Sequence, residues 1–591
     1  MEQVNWNLAD LYTESAKVND DLLKLKERAL LFAVKNADIS NIEKADFSVT
    51  VKEFESILES LAYPASYAEL LYNENSSEEN GALLNFVMEE MTIISKELVP
   101  FELQIVNLSD EKFAELMDDN SDMKSYRHYL EKERKSRPHR LNASEEQIVM
   151  DKSLTGREAF SRLFDETITN TKFYLGSGDD KEEMSESQVL SLLHSSDRDT
   201  RKAASVSLTE GLKSKNHVLV YITNTLLKDK EINDRLFKYD RSESSRHESD
   251  DVQTAVVDTM ISTVAANFQI VERYYKLKAR ILGFSPLYHY DRYAPISLKE
   301  ADISWEESKD IVIKAYDDFS PDFGEKASKF FDEQWIDAFP KEGKRSGAFC
   351  AGITPSHHPY VLTNFLGKDR DVMTVAHELG HGIHDLFASK QTYLNYHPSL
   401  AAAETASVFG EQLTFDMLKA REGITNEEKL SLVCGKIEDT FATVFRQTAM
   451  YRFERAVHAR RKEGEIPANV IGDIWQEKLQ EMFLDSVIME DDHKFWWSYI
   501  PHFIHTPFYV YAYAFGQLMV MALYGKYKEM GKDFIPQYRE LLSMGGSDNV
   551  VNIMSKSGFD ITDKDFWQSG LSSIEGMVKE AEDLFKTIGH L

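Results

Sequence analysis

Cysteine is almost missing from this chain: 591 residues carry two, Cys350 and Cys434, with no second cysteine near either. That excludes a disulfide framework and a cysteine-type zinc knuckle, and a reducing cytoplasm is the compartment that fits. Positive charge is also short, 68 Lys and Arg against 99 Asp and Glu, for a formal net charge of −31 and a pI near 5.0. A protein of that sign repels polyphosphate, so neither nucleic acid nor an anionic membrane is an expected partner. Solubility is the plainer consequence of the same charge. The opening MEQVNWNLADLYTES lacks a basic stretch followed by an apolar run, so it does not read as a secretory signal. Long hydrophobic runs are missing too, apart from PFYVYAYAFGQLMVMALYG (507–525). That run opens on Pro507 and holds four tyrosines and Gln517, which reads as a buried helix with a functional face rather than a membrane span. Internal repeats and low-complexity segments are not found.

What is present is a folded chain, 42% hydrophobic and 28% charged. Apolar residues recur at helical spacing through KEFESILESLAYPASYAELLY (52–72) and ENGALLNFVMEEMTIISKELVPFELQIV (79–106), so the fold class is mainly α. A polar stretch at 132–147 ends in Asn142 or Ser144 ahead of a helical pattern and reads as a connection between helices or subdomains. The charged stretch 237–251 reads as an exposed loop. The clearest departure from helix is 345–365, where SGAFCAGI and YVLTNF flank the turn-like TPSHHP and predict a β-hairpin. His357 and His358, in that turn, are expected to face solvent.

Immediately after the hairpin comes DVMTVAHELGHGIHDLF (371–387), three histidines and a glutamate in an apolar helical segment. His377, Glu378 and His381 form HExxH. On an α-helix, i and i+4 share a face, so both imidazoles reach one ion while the glutamate points about a quarter-turn away, toward a water on that ion. This is the donor pattern of a hydrolytic Zn²⁺ site with Glu378 as the base, one ion per chain. Val372, Val375, Ala376, Leu379, Ile383, Leu386 and Phe387 make the helix apolar on most sides, so its polar residues need partners once buried. The metzincin extension would require glycine at 384 and histidine at 387, and the chain has His384 and Phe387. A third ligand is therefore sought downstream, and Glu404 in SLAAAETASVFGEQLTFDMLKA (399–420) is the better candidate, because the small side chains after it allow close helix packing. Glu411, on roughly the same face, is either an ordinary helix carboxylate or the group that orients a histidine. His384 shares the histidine face and reads as a core residue.

Together HELGH, ETASVFGE, KRSGAFC, PFYVYAYAFGQL, the opening WNLADLY and the closing GGS with GFDITDKDFWQSGLSSIE resemble oligoendopeptidase F, within the thimet oligopeptidase family of zinc peptidases. The resemblance spans nearly the whole chain. It implies an elongated helical body split by a deep channel, with a small hairpin or sheet beside the HExxH helix, and two domains, 1–190 as a wall or lid and 191–591 as the catalytic domain. It also implies His377, His381 and Glu404 as zinc ligands, Glu378 as base and then acid, and histidine and tyrosine donors toward the oxyanion from the C-terminal segment. His505, Tyr509 and Tyr513 are the favoured donors here, with His502 the competing histidine. Tyr509 and Tyr513 share a face if the segment is helical from Pro507, and Tyr511 then points elsewhere. The expected activity is cleavage of internal bonds in short unfolded peptides by a monomer or homodimer. The alternatives are a related exopeptidase releasing terminal residues or dipeptides, and a catalytically silent peptide-binding protein. The edge strand at SGAFCAGI is expected to pair with an extended peptide through its backbone.

Overall fold

Several helices start where a small polar side chain can take up a free backbone N–H. Ser77, Ser109, Asn142, Ser185, Asp197, Ser304 and Thr425 each cap one in this way. The computed structural model describes residues 4–118, 120–176, 181–296 and 302–589, side chains at 143, 400 and 401 excepted. The fold is mainly α, and five short strands are found among the described residues: β1 (Phe173–Leu175), β2 (Glu182–Met184), β3 (Ile336–Asp337), β4 (Phe349–Ala351) and β5 (Tyr360–Leu362). The apolar periodicities at 52–72 and 79–106 lie in the helices Lys44–Glu74 and Glu78–Asn107, each continuous through an internal proline.

The chain forms two compact units, each made of three segments: Met1–Arg137, Glu300–Arg421 and Lys526–Asp560 in the first, and Pro138–Lys299, Glu422–Gly525 and Ile561–Leu591 in the second. The first boundary falls inside the polar connection at 132–147, and Asn142 is the residue that caps the next helix, in a capping box with Glu145. In the second unit the helices Arg198–Leu236, Asn426–Thr443, Phe445–Arg461, Ala468–Phe483 and Lys564–Thr587 supply most of the scaffold. By length and hydropathy Thr254–Leu282 could span a membrane. It is two helices, Thr254–Ala265 and Gln269–Leu282, and the second carries Glu272, Arg273, Lys276, Lys278 and Arg280.

Two expectations are corrected here. The stretch 237–251 is not an exposed loop: it contains the short helix Ser244–Ser249, and Glu243, His247, Asp250 and Asp251 are buried. Its charges are paired internally, Arg241 with Glu243 and Asp258, and Asp250 accepting from Tyr511 Oη at 2.8 Å. His357 and His358 do not face solvent either. His358 stacks on Trp335 with ring centroids 4.2 Å apart, and His357 lies edge-on to Tyr63.

In the first unit, the predicted hairpin is real but belongs to a three-stranded sheet ordered β3-β5-β4, with β4 antiparallel and β3 parallel to β5. The HExxH segment is the helix Asp369–Ala388. Asp371, in its first turn, accepts the backbone N–H groups of Leu366 and Lys368 and favours the positive end of the helix dipole. Next comes the helix Leu400–Lys419, which packs directly on it. The two backbones approach closely because Gly380 faces Ala406 and Ser407: a β-carbon at 380 would stand 2.5 Å from the Ala406 carbonyl oxygen and 2.5 Å from Ser407 Cα. Gly410 is equally confined, against Tyr316 Oη and the Ala376 carbonyl oxygen, which are themselves hydrogen-bonded at 2.7 Å. The methyl group of Gly380→Ala has nowhere to go without separating the helices. We expect a loss of about 1–3 kcal/mol in stability, read as a lower urea midpoint, with weaker metal retention in the same variant.

Candidate metal centre

His377, Glu378 and His381 lie on the Asp369–Ala388 helix, and their ligand atoms gather within 4.8 Å of one another. Glu404, on the Leu400–Lys419 helix, adds a carboxylate oxygen to the two imidazoles. His377 Nε2 and His381 Nε2 are 3.2 Å apart, and Glu404 Oε2 lies 3.4 Å from the first and 3.7 Å from the second. A tetrahedral Zn²⁺ with bonds of about 2.0–2.2 Å holds its ligand atoms about 3.3–3.5 Å apart. The triangle has that size.

The far side of each ligand is held in the orientation a metal requires. His377 Nδ1 donates to Glu411 Oε1 at 2.5 Å, and the Ala403 backbone carbonyl accepts from the other ring nitrogen of His381. With each far nitrogen so engaged, both Nε2 atoms face inward toward each other, where a cation would be held. Ser407 Oγ donates to Glu404 Oε2 at 2.7 Å and fixes that carboxylate. Glu411 is thus hydrogen-bonded to the His377 ring, the contact an orienting group would make, and His384 is buried.

The electrostatics show competing demands. For His377, burial pulls the pKa down, but the hydrogen bond and charge of Glu411 outweigh it and raise the pKa to about 9. His381 has no such partner, and burial lowers it to about 4. Glu378 is buried and pushed up to about 7, and the Cys350 backbone N–H donates to its carboxylate. Glu378 does not join the ligand triangle's orienting network. It stands between the helix and β4.

That contact with Cys350 has a geometric origin. Val361 N–H donates to the Trp335 carbonyl, so Val361 faces away from β4, and its antiparallel partner Cys350 turns its own N–H and C=O to the outer edge of the sheet. Sequence reasoning missed this donor, since nothing in a side-chain pattern marks a backbone N–H. Ser407 was open to discovery: it sits three residues after Glu404 on one helical face.

The aromatic segment lies in the second unit and differs from expectation. The helix begins at Tyr511, not at Pro507, because Phe508 adopts φ +62° and residues 507–510 form turns. Tyr509 and Tyr513 still meet, with ring centroids 5.1 Å apart and nearly perpendicular. His502 joins them: its ring is parallel to Tyr509 at 6.2 Å, and its Nε2 is 3.2 Å from Tyr513 Oη. His505 turns away and pairs with Asp165 Oδ1 at 2.8 Å. Tyr511 is fully buried, with its hydroxyl on Asp250.

Residues 191–573 match peptidase family M3, and residues 104–173 match the N-terminal region described as oligopeptidase F. The chain is 27% identical over 503 residues to oligopeptidase PepF of Bacillus subtilis, covering 83% of this chain and 73% of that one. It is 26% identical over 567 residues to an oligoendopeptidase F homolog of Borreliella burgdorferi, covering 94% of each. Among solved structures, oligoendopeptidase-F from Enterococcus faecium superposes with a TM-score of 0.70 at 21% identity, over 97% of this chain and 99% of that one. A Chlamydophila abortus structure reaches 0.88 at 23% identity, over 98% of both.

The Glu411 contact yields a prediction. Glu411→Gln leaves all three triangle atoms in place but removes the anion that holds His377 Nδ1–H. Zinc affinity in a chelator competition should fall about ten- to a hundredfold, while Ser543→Ala, remote from the triangle, should leave it unchanged.

Proposed function

The chain belongs to peptidase family M3 and is a metallopeptidase, and from that premise we propose that it is a zinc-dependent endopeptidase of short unfolded peptides. The observation that carries this reading is the triangle of His377, His381 and Glu404 with the separately held, buried Glu378 beside it. A protein that only binds peptides or senses metal needs the three ligands but has no use for that carboxylate.

In the proposed mechanism His377, His381 and Glu404 hold one Zn²⁺, which when bound acidifies a water and polarises the scissile carbonyl. Glu378 accepts the proton of the attacking water and then delivers it to the leaving amine. Its burial suits both roles, since a carboxyl shielded from water can hold the proton between the two steps. No acyl-enzyme forms, because the attacking group is water rather than a side chain. The Cys350 N–H keeps the Glu378 carboxylate aimed, and the Cys350 carbonyl on the same edge is free to accept a hydrogen bond from an extended peptide. Such backbone pairing gives affinity with little sequence preference.

The negative charge that develops on the carbonyl oxygen calls for fixed donors, each worth roughly 3 kcal/mol. On the family resemblance alone we propose Tyr509 and Tyr513 for that role; within the second unit His502 shares their cluster while His505 pairs with Asp165. Cytoplasmic action fits the two unpaired cysteines, of which Cys434 is buried.

The test uses an internally quenched peptide blocked at both ends. Cleavage at internal bonds that stops with chelator and returns with zinc supports the proposal. Cleavage of unblocked peptides only, from one end, would move the assignment to an exopeptidase. Glu378→Gln should retain zinc by metal analysis and lose about 10²–10⁴ of kcat; an unchanged rate would sink the mechanism.

A further inference from the structure

The second unit holds two guanidinium groups for which the described residues provide no carboxylate. Arg292 ends a short turn, His289–Tyr293, and is only 7% exposed. Its guanidinium lies over the Tyr293 ring, 4.5 Å from the centroid, and donates from Nη2 to Tyr293 Oη. Arg446 donates to the same hydroxyl oxygen from the first turn of the helix Phe445–Arg461. The Nε atoms of both arginines are buried without a hydrogen-bond partner among the described residues.

The nearest candidate counter-ion is already engaged. Glu438 Oε1 accepts from Lys278 Nζ at 2.6 Å and from Tyr274 Oη at 2.5 Å. Tyr275, Tyr499, His289 and His493 stand beside Arg292, and Tyr499 also beside Arg446; a second carboxylate, Glu186, reaches the cluster at Tyr499. One buried and one partly buried cation that share a phenol as hydrogen-bond partner form a positive field with little local compensation. Tyr293 registers that field: burial alone would raise its pKa, yet Arg292 and Arg446 bring it below the ordinary tyrosine value. The cluster is not sealed, because Tyr293, Arg446 and Tyr499 are each only partly buried.

We propose that Arg292, Arg446 and Tyr293 form a carboxylate-binding site for the peptide substrate, taking its C-terminal α-carboxylate or an acidic side chain. The fork of a guanidinium matches the two oxygens of a carboxylate. Tyr293 Oη accepts from both arginines, which leaves its own O–H free to donate as a third contact. Tyr499 lies three residues before His502, so an occupied site would be continuous along the chain with the His502, Tyr509 and Tyr513 cluster. The inference rests on the reading of the chain as a peptide-binding enzyme and adds a specificity determinant to it.

The test is a binding measurement that needs no turnover. Zinc-loaded, full-length Glu378→Gln protein is titrated with one fluorescent peptide in four forms, with a free or amidated C-terminus and with an internal Glu or Gln. At least one carboxylate should tighten Kd by about tenfold, and the pair that differs identifies its source. That ratio should shrink toward unity in Arg446→Gln, and in Tyr293→Phe, which changes no formal charge and guards against misfolding of the first variant. Equal Kd for all four peptides, or a preference that survives both substitutions, would overturn the proposal. Failure of the peptidase reading would show separately, as absence of turnover by the unsubstituted enzyme while the four affinities remain measurable.

Discussion

The metal centre depends on how closely two helices approach at Gly380. The HExxH helix offers two imidazoles at i and i+4, and that spacing is intrinsic to any helix. The proposed third ligand and the partners of both histidine rings come from across the gap: Glu404, the Ala403 carbonyl and Glu411 all belong to the Leu400–Lys419 helix. A carboxylate side chain reaches a fixed distance from its backbone. The size of the triangle is therefore set by backbone separation, which the missing side chains at 380 and 410 determine. Tyr316 and Tyr538 secure the arrangement, the first donating to the Ala376 carbonyl and the second to the Thr405 carbonyl. Each ties an aromatic core residue to the backbone of one of the two helices.

This packing also creates the electrostatic problem that a cation resolves. It brings Glu378, which is buried, and Glu404 and Glu411, which are partly exposed, to the same pair of histidines, and the histidines respond in opposite directions, His377 upward and His381 downward. A chain that buried these groups for stability alone would do better with apolar residues of similar volume. Their retention makes sense when a divalent cation supplies the missing charge. Glu378 is the exception: its carboxylate is steadied by a backbone N–H of β4 rather than by a ligand, which leaves it available to exchange a proton.

The sequence is most legible where chemistry follows from spacing within one element. His377, Glu378 and His381 could be placed from helical geometry, and Glu404 from the small residues that follow it. Glu411 stood open between two roles until its distance to His377 Nδ1 decided the matter. Legibility fails where partners come from distant segments. The charged run at 237–251 resembles solvated surface, yet Arg241 and Asp250 find partners at Asp258 and Tyr511, and Glu243, His247, Asp250 and Asp251 are buried. His357 and His358 sit in a turn, but Trp335 and Tyr63 cover them. The strand β3 is two residues long and carries no periodicity of its own.

The aromatic segment shows the same limit in a single residue. Extending a helix back to Pro507 would place Tyr509 and Tyr513 one turn apart, and the two rings are indeed neighbours. They meet for a different reason. Phe508 is held in the left-handed region at φ +62°, which costs a bulky residue about 1–3 kcal/mol. Its ring is fully buried against Tyr451 and His458, and its N–H donates to Glu454 Oε1 at 2.8 Å. Glu454 is itself buried, and burial pushes its pKa up to about 8. Burial of the ring and this hydrogen bond offset the strained backbone, and the turn they stabilise brings Tyr509 back beside His502 while His505 points toward Asp165. Which of the two histidines joins the tyrosine cluster is therefore set by a backbone conformation that neither histidine encodes.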